Sequence, residues 1–202
     1  MSIAKYKRYG TRTRILEATW RLMEEHNGQG VSMSDVAGAA GVSRQAVYNH
    51  FGSRADLMVA TVRHGDEVLG LDERLRCYRA ATGGTERLGA FVEFWGNYVP
   101  EIHGIARALL SARENDEAVA AAWDDRMGVV YEACRDIAER LHRDGMLASG
   151  WSLDEAADVL WTMLSIRSWE SLVLERGWPV SRYVGRMQEL TRRIFVRGPE
   201  GA

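Results

Sequence analysis

The chain has 202 residues, 46% hydrophobic and 27% charged, the make-up of an ordinary globular protein able to bury a substantial core in one large domain or two small ones. A net charge of −2 gives the molecule as a whole no pull toward a polyanion, no apolar run approaches the ~18 residues that span a bilayer, and the start lacks the apolar core of a signal peptide. Two cysteines, Cys77 and Cys134, stand at no metal or redox spacing and read as reduced thiols of a cytoplasmic chain.

Charge is nonetheless unevenly placed. Residues 1–60 hold eight Lys and Arg against five Asp and Glu, whereas the remainder holds eighteen against twenty-three. Lys5, Lys7, Arg8, Arg12 and Arg14 crowd the first fourteen residues without one acid, which suits a solvated tail and a phosphate-contacting arm equally. Ile15, Ala18, Leu22 and Met23 then repeat at helical spacing and predict a helix over 11–26, ended by Asn27, Gly28 and Gly30.

Ser32 with Asp35 three residues later is the spacing of a capped helix start. Val36, Ala37 and Ala40 follow on one face, and Gly41 is free to take the left-handed turn that ends a helix. Ser43 caps again and opens a short helix with Val47 and Phe51 on its inner face. Arg44, Gln45, Tyr48 and Asn49 are left pointing outward. Two short helices around a glycine turn make a helix-turn-helix, whose second helix enters the major groove of DNA with its first residues leading. In that setting Arg44 suits guanine, Gln45 suits adenine, and Asn49 is a third candidate one turn on.

Ser53 and Asp56 repeat the capping spacing and predict a longer helix through Leu57, Val62 and Val68 toward Leu75, weakened at Gly65 and Gly70. Thr82, Gly83 and Gly84 mark its far boundary. A helix over 85–99 carries Leu88, Phe91, Val92, Trp95 and Tyr98 and is expected to stop at Pro100. A short helix over 101–112 follows, with Glu101 and His103, at no metal spacing, marking the turn before it. A long apolar repeat predicts a helix over 116–144, then a loop at 145–150. Ser152 with Glu155 makes a capping box for a helix to about 176, and a last helix covers 181–196. Alternating strand patterns are absent, so the expected fold is all-α.

The run AGVSRQAVYNHFGSRADL resembles the DNA-binding signature of the TetR-type transcriptional regulators. Ser32, Asp35, Ala37, the turn from Ala40 to Ser43, Tyr48, His50, Phe51 and Leu57 agree together, over roughly the first quarter of the chain. One departure is visible: where the family commonly has Gly followed by an aromatic residue, Asn27 and Gly28 stand here. The resemblance implies a homodimeric, usually bacterial, repressor on a palindromic operator of double-stranded DNA, divided into a DNA-binding part at 1–54 and a ligand-binding and dimerisation part at 55–202. It places Tyr48, His50, the Ser32 hydroxyl and Arg54, where the family usually has Lys, on the DNA backbone. It also implies that the last two long helices pair with a second copy as a four-helix bundle. Their apolar surface, wider than one stripe, fits either that partner or burial within one subunit.

A pocket among the later helices is likewise implied by the resemblance. The aromatic weight of Phe91, Phe94, Trp95, Tyr98, Trp123, Met127, Tyr131, Trp161 and Trp169 points to a small apolar or aromatic effector, with ordinary core packing as the bland reading of each. No cofactor or metal is expected. Neither a Ser, His and Asp set, nor paired carboxylates, nor a glycine-rich phosphate loop stands in a supporting context, so an enzyme is not expected. The remaining alternatives are an activator of the same fold and a helical ligand-binding protein without DNA binding.

Overall fold

Every regular element among the described residues, 10–27 and 29–198, is a helix in the computed structural model, joined by one isolated bridge between Leu147 and Val196. Lys5, Lys7, Arg8 and Gly28 of the sequence reading lie outside the described residues. By packing, the chain divides into one unit of Met1–Leu69 with Gly104–Arg126 and another of Gly70–His103 with Met127–Ala202.

In the first unit, α1 (Thr11–Glu25) packs against α2 (Met33–Ala40), α3 (Arg44–His50) and α4 (Arg54–Val68). Ile15, Leu16, Met23, Val36, Val47, Leu57 and Met58 are the buried side chains of that seam. Thr19 and Thr61, fully buried, satisfy their hydroxyls on the carbonyls of Ile15 and Leu57 at 2.8 and 2.7 Å, one helical turn back. Asn27, which takes the place of the family's glycine, sits at φ +50, the left-handed conformation that Asn tolerates.

The start of α8 (Glu117–Arg143) belongs to the same unit as α4, and three ion pairs join them: Arg54 with Asp116, Arg63 with Asp125, and Asp66 with Arg126. Arg54 and Arg63 stand nine residues apart, and so do Asp116 and Asp125. The two segments therefore run in the same direction and in register, the rungs about 13 Å apart along the axes. The Arg126 Nε approaches the Asp66 carboxylate at 3.3 Å, close enough for a charge pair.

Three expected boundaries move. The helix predicted to run toward Leu75 ends at Val68, because Gly70 at φ +68 turns the chain into the short α5 (Leu71–Arg74) and α6 (Arg76–Ala80). Pro100 does not stop a helix: α7 is continuous over Gly84–Ala112 with Pro100 inside, so Glu101 and His103 lie on a helix and mark no turn. Apolar residues on both sides of Pro100, among them Trp95, Tyr98, Val99, Ile102 and Ile105, are buried. Several such side chains at ~1.5–3 kcal/mol each outweigh the ~3 kcal/mol cost of a mid-helix proline.

The helix expected from Ser152 to about 176 is broken. α9 (Leu153–Met163) gives way at Leu164, whose carbonyl accepts the indole N–H of Trp95 at 2.6 Å. Ser165 caps a new start for α10 (Ile166–Trp169), which passes into a π-helical stretch over Glu170–Glu175. α11 (Val180–Phe195) closes the second unit against α7, where Gln188 donates to the Gly89 carbonyl at 3.1 Å. Cys134 is buried, and burial pushes its thiol up to about 12, leaving it inert near neutral pH.

A Cβ built at Gly65 would stand 1.9 Å from the Trp20 ring. Gly65→Ala therefore loses the helix-propensity gain of ~1 kcal/mol that alanine brings elsewhere and is expected to destabilise the chain by about 1–3 kcal/mol through overpacking. Urea unfolding of the two proteins measures it; a more stable variant would mean that α1 and α4 do not pack this closely.

Candidate nucleic-acid interface

The α2–α3 unit is built from local capping. Ser32 accepts the Asp35 amide at 3.2 Å, while the Asp35 carboxylate accepts the Ser32 amide at 3.0 Å and its hydroxyl at 2.6 Å. Those hydrogen bonds, the side-chain one first, hold the Asp35 carboxyl below its ordinary value. The Ser32 hydroxyl proton is thus committed to Asp35. At the other end Gly41, φ +65, lets Val42 and Gly41 donate back to the carbonyls of Ala37 and Gly38 at 3.0 and 3.2 Å, closing α2. Two residues on, Ser43 accepts the Ala46 amide at 3.1 Å and starts α3.

Val47 and Phe51 are buried beneath α3, which leaves Arg44, Gln45, Tyr48 and Asn49 exposed on one strip and His50 exposed at the helix end. The strip is ordered in pairs one turn apart. Gln45 donates to the Asn49 side-chain carbonyl at 3.0 Å, and the Arg44 guanidinium lies 5.5 Å from the centre of the Tyr48 ring. Arg12 stands over the other side of the unit, 5.3 Å from the Phe51 ring centre. Amide, guanidinium and hydroxyl groups presented this way can both donate to and accept from base edges and phosphates.

Arg54 is placed differently. Its Nε donates to the Val31 carbonyl at 2.6 Å and its Nη1 to both Asp116 oxygens at 2.5 and 2.6 Å, so the guanidinium is turned inward, with two of its three nitrogens engaged within the protein. Asp116 also accepts the amides of Ala118 and Val119 at 3.1 and 3.3 Å and so caps α8. In the sequence Asp116 carries the mark of a helix cap and nothing more; its partner stands 62 residues away.

The nominated ligand residues fall into separate groups. Phe91, Phe94, Trp95 and Tyr98 form a ring-on-ring run along α7, with Phe94 and Tyr98 stacked at 5.3 Å. Trp169 lies 5.3 Å from the His103 ring, and His103 reaches the Glu170 carboxylate at 2.9 Å, a pairing that the sequence reading missed because 67 residues separate the partners. The indole N–H of Trp169 and the hydroxyl of Tyr183 are buried without a hydrogen bond among the described residues, and burial pushes the Tyr183 phenol up to about 12. Met127 is half-buried, while Tyr131 spends its hydroxyl on Asp158 at 3.1 Å and Trp161 is exposed. Trp123 belongs to the first unit, under the Arg113 guanidinium.

Residues 15–61, from α1 into α4, match the family described as bacterial regulatory proteins, tetR family. The chain is 26% identical over 160 residues to the HTH-type transcriptional regulator CymR of Pseudomonas putida, covering 77% of this chain and 74% of that protein. It is 28% identical over 150 residues to the HTH-type transcriptional activator FasR of Mycolicibacterium smegmatis, covering 69% and 66%. A transcriptional regulator from Saccharomonospora viridis, crystallised in complex with choline, shares the fold at a TM-score of 0.70 and 19% identity, over 93% of this chain and 98% of that one.

Removing the α3 cap with Ser43→Ala is expected to cost about 1 kcal/mol in chemical unfolding. The Asp35 cap carries a pH signature. Its carboxyl is lowered from 3.8 in the folded chain, so its contribution is fully present above that ordinary value and is lost as pH falls through the lowered one. Protection of the first-turn amides of α2, taken as their exchange relative to an unstructured chain at the same pH, should fall only in that acidic window; a loss of protection already near pH 6 would rule the carboxylate out as the cause.

Proposed function

We propose that this chain, which belongs to the tetR family of bacterial regulatory proteins, works in the cytoplasm as a homodimeric repressor that holds a palindromic operator and releases it when a small apolar or aromatic effector binds. The observation that carries the DNA-binding half of this reading is the exposure of Arg44, Gln45, Tyr48 and Asn49 on one strip of α3, with His50 exposed at its end, over the buried Val47 and Phe51. Gln45, Arg44 and Asn49 read bases. Tyr48 and His50 rest on phosphates and set the register without selecting a sequence. The Ser32 hydroxyl reaches a phosphate only by sharing the proton it gives to Asp35. Functionally, 1–54 reads DNA while 55–202 takes the effector and the second copy.

Dimerisation is supported by apolar side chains left exposed on the last elements: Trp161 at 36%, Leu174 at 53% and Leu190 at 45%. Isolated exposed leucines are ordinary, but three large apolar residues on α9, the π-helical stretch and α11 suit a shared bundle. Effector binding is supported by the aromatic run on α7 and by the buried, unpartnered N–H of Trp169, a donor that a ligand's acceptor would satisfy. To move operator occupancy from nearly full to nearly empty, the effector must prefer the released conformation by roughly 10⁴-fold, or by less for a partial switch.

The FasR relative is named an activator, so activation through the same DNA-binding unit is the second reading. A gel shift on the DNA upstream of the chain's own gene tests the common part, and a reporter fused to that promoter separates the two. Absence of a retarded band at any salt would point to a ligand-binding protein without DNA. A dimer whose α3 helices cannot be brought about one turn of duplex apart, ~34 Å, would defeat the palindromic operator.

Base reading and phosphate contact separate by mutation. Gln45→Ala is expected to lower affinity for the preferred operator by about 1–3 kcal/mol and to leave other sequences nearly unaffected. Tyr48→Phe should weaken all sequences about equally. Competition binding with scrambled half-sites distinguishes them, and an operator preference untouched by Gln45→Ala would remove Gln45 from the reading set.

A further inference from the structure

Resting on the DNA-binding reading above, we propose that Asp116 is a positioning residue for it: its carboxylate holds Arg54 against the Val31 carbonyl, fixing where α2 and α3 stand, and Arg54 serves this latch instead of a DNA phosphate. Three helix starts meet on one guanidinium. Val31 precedes the Ser32 cap of α2, Arg54 is the first residue of α4, and Asp116 is the cap of α8. The bonds are short, 2.6 Å to Val31 and 2.5 and 2.6 Å to Asp116, and the two charged side chains are 25% and 21% exposed.

Arginine suits this place because its planar fork sends donors in two fixed directions at once, one to a carbonyl and one to a carboxylate, whereas a lysine ammonium is a compact point charge without that fixed fork. Swinging the Arg54 guanidinium out to a phosphate would break these three bonds, made by Nε and Nη1, and would leave the Val31 carbonyl, on a buried residue, without its side-chain partner. The latch is also the first rung of the α4–α8 seam, which Arg63–Asp125 and Asp66–Arg126 continue. A cleft of about 270 Å³ lined by Gln29, Gly30, Ala112, Asn115 and Asp116 opens beside it.

The test is binding to the duplex upstream of the chain's own gene at several salt concentrations, for the wild type, Arg54→Ala, Asp116→Asn and the double variant. Asn caps a helix as well as Asp does, so the Asp116 change keeps α8's start while removing the charge that holds Arg54. Each single variant is expected to lose about tenfold in affinity, as befits loss of charge-assisted bonds that orient α2 and α3. The double variant should be no weaker than the singles, and the slope of log affinity against log salt should match the wild type. An Arg54 that touches phosphate would instead drop that slope by about 0.9 in Arg54→Ala while leaving Asp116→Asn like the wild type, and that result overturns the latch.

Amide exchange in the free protein decides the matter without DNA. Both single variants should exchange faster in the first turn of α2, and unchanged exchange there overturns the latch as well. If the wild type fails to retard the duplex, the DNA reading falls while the exchange experiment still judges the latch.

Discussion

The close approach of α1 to α4 is the constraint on which the α2–α3 unit depends. The Trp20 ring occupies the place where any side chain at residue 65 would begin, so a glycine there sets the distance between the two helices. Across that seam Ile15, Leu16, Met23, Leu57 and Met58 leave water almost completely, and α2 and α3 are held because they too pack on α1. A seven-residue helix has no stability of its own in water. α3 exists because Val47 and Phe51 have this prepared surface to sink into, and its polar strip faces outward for the same reason.

Charge plays a different part in this unit. The ion pair between Arg63 and Asp125 is largely exposed, with side chains 63% and 29% accessible, and such pairs add little to stability. The Asp66–Arg126 pair is nearly buried at 11% for each partner, where desolvation offsets most of the attraction. What these rungs supply is register: matched spacing on α4 and α8 admits one alignment, and a slip of either helix by a turn would strand a charge. In the second unit, Asp136 similarly gathers Tyr78, Arg87 and Arg140 onto one carboxylate.

How far the fold was legible depended on whether the cause was local. The caps at Ser32, Ser43, Ser53 and Ser152 were readable because a hydroxyl and its target amide lie three residues apart, and each stands where the spacing placed it. The left-handed turn at Gly41 was readable for the same reason. Pro100 misled, since proline's local penalty is visible in sequence whereas the burial of side chains on either side of it is a tertiary fact. The break at Leu164 was hidden likewise, because the indole that takes its carbonyl comes from Trp95, 69 residues earlier. Among the residues nominated for DNA, the exposed strip followed from helical periodicity. The inward turn of Arg54 did not, because it depends on a carboxylate that only the folded chain brings near.

The pairing of Gln45 with Asn49 has an evolutionary consequence if α3 reads bases as proposed. Each amide already has part of its hydrogen-bonding capacity engaged by the other, which narrows the orientations that both can offer to a groove. A replacement at either position releases its neighbour to search new rotamers, so a first mutation broadens recognition before a second one sharpens it again. Paralogues descended from such a helix would be expected to change their recognition code two positions at a time, passing through promiscuous intermediates.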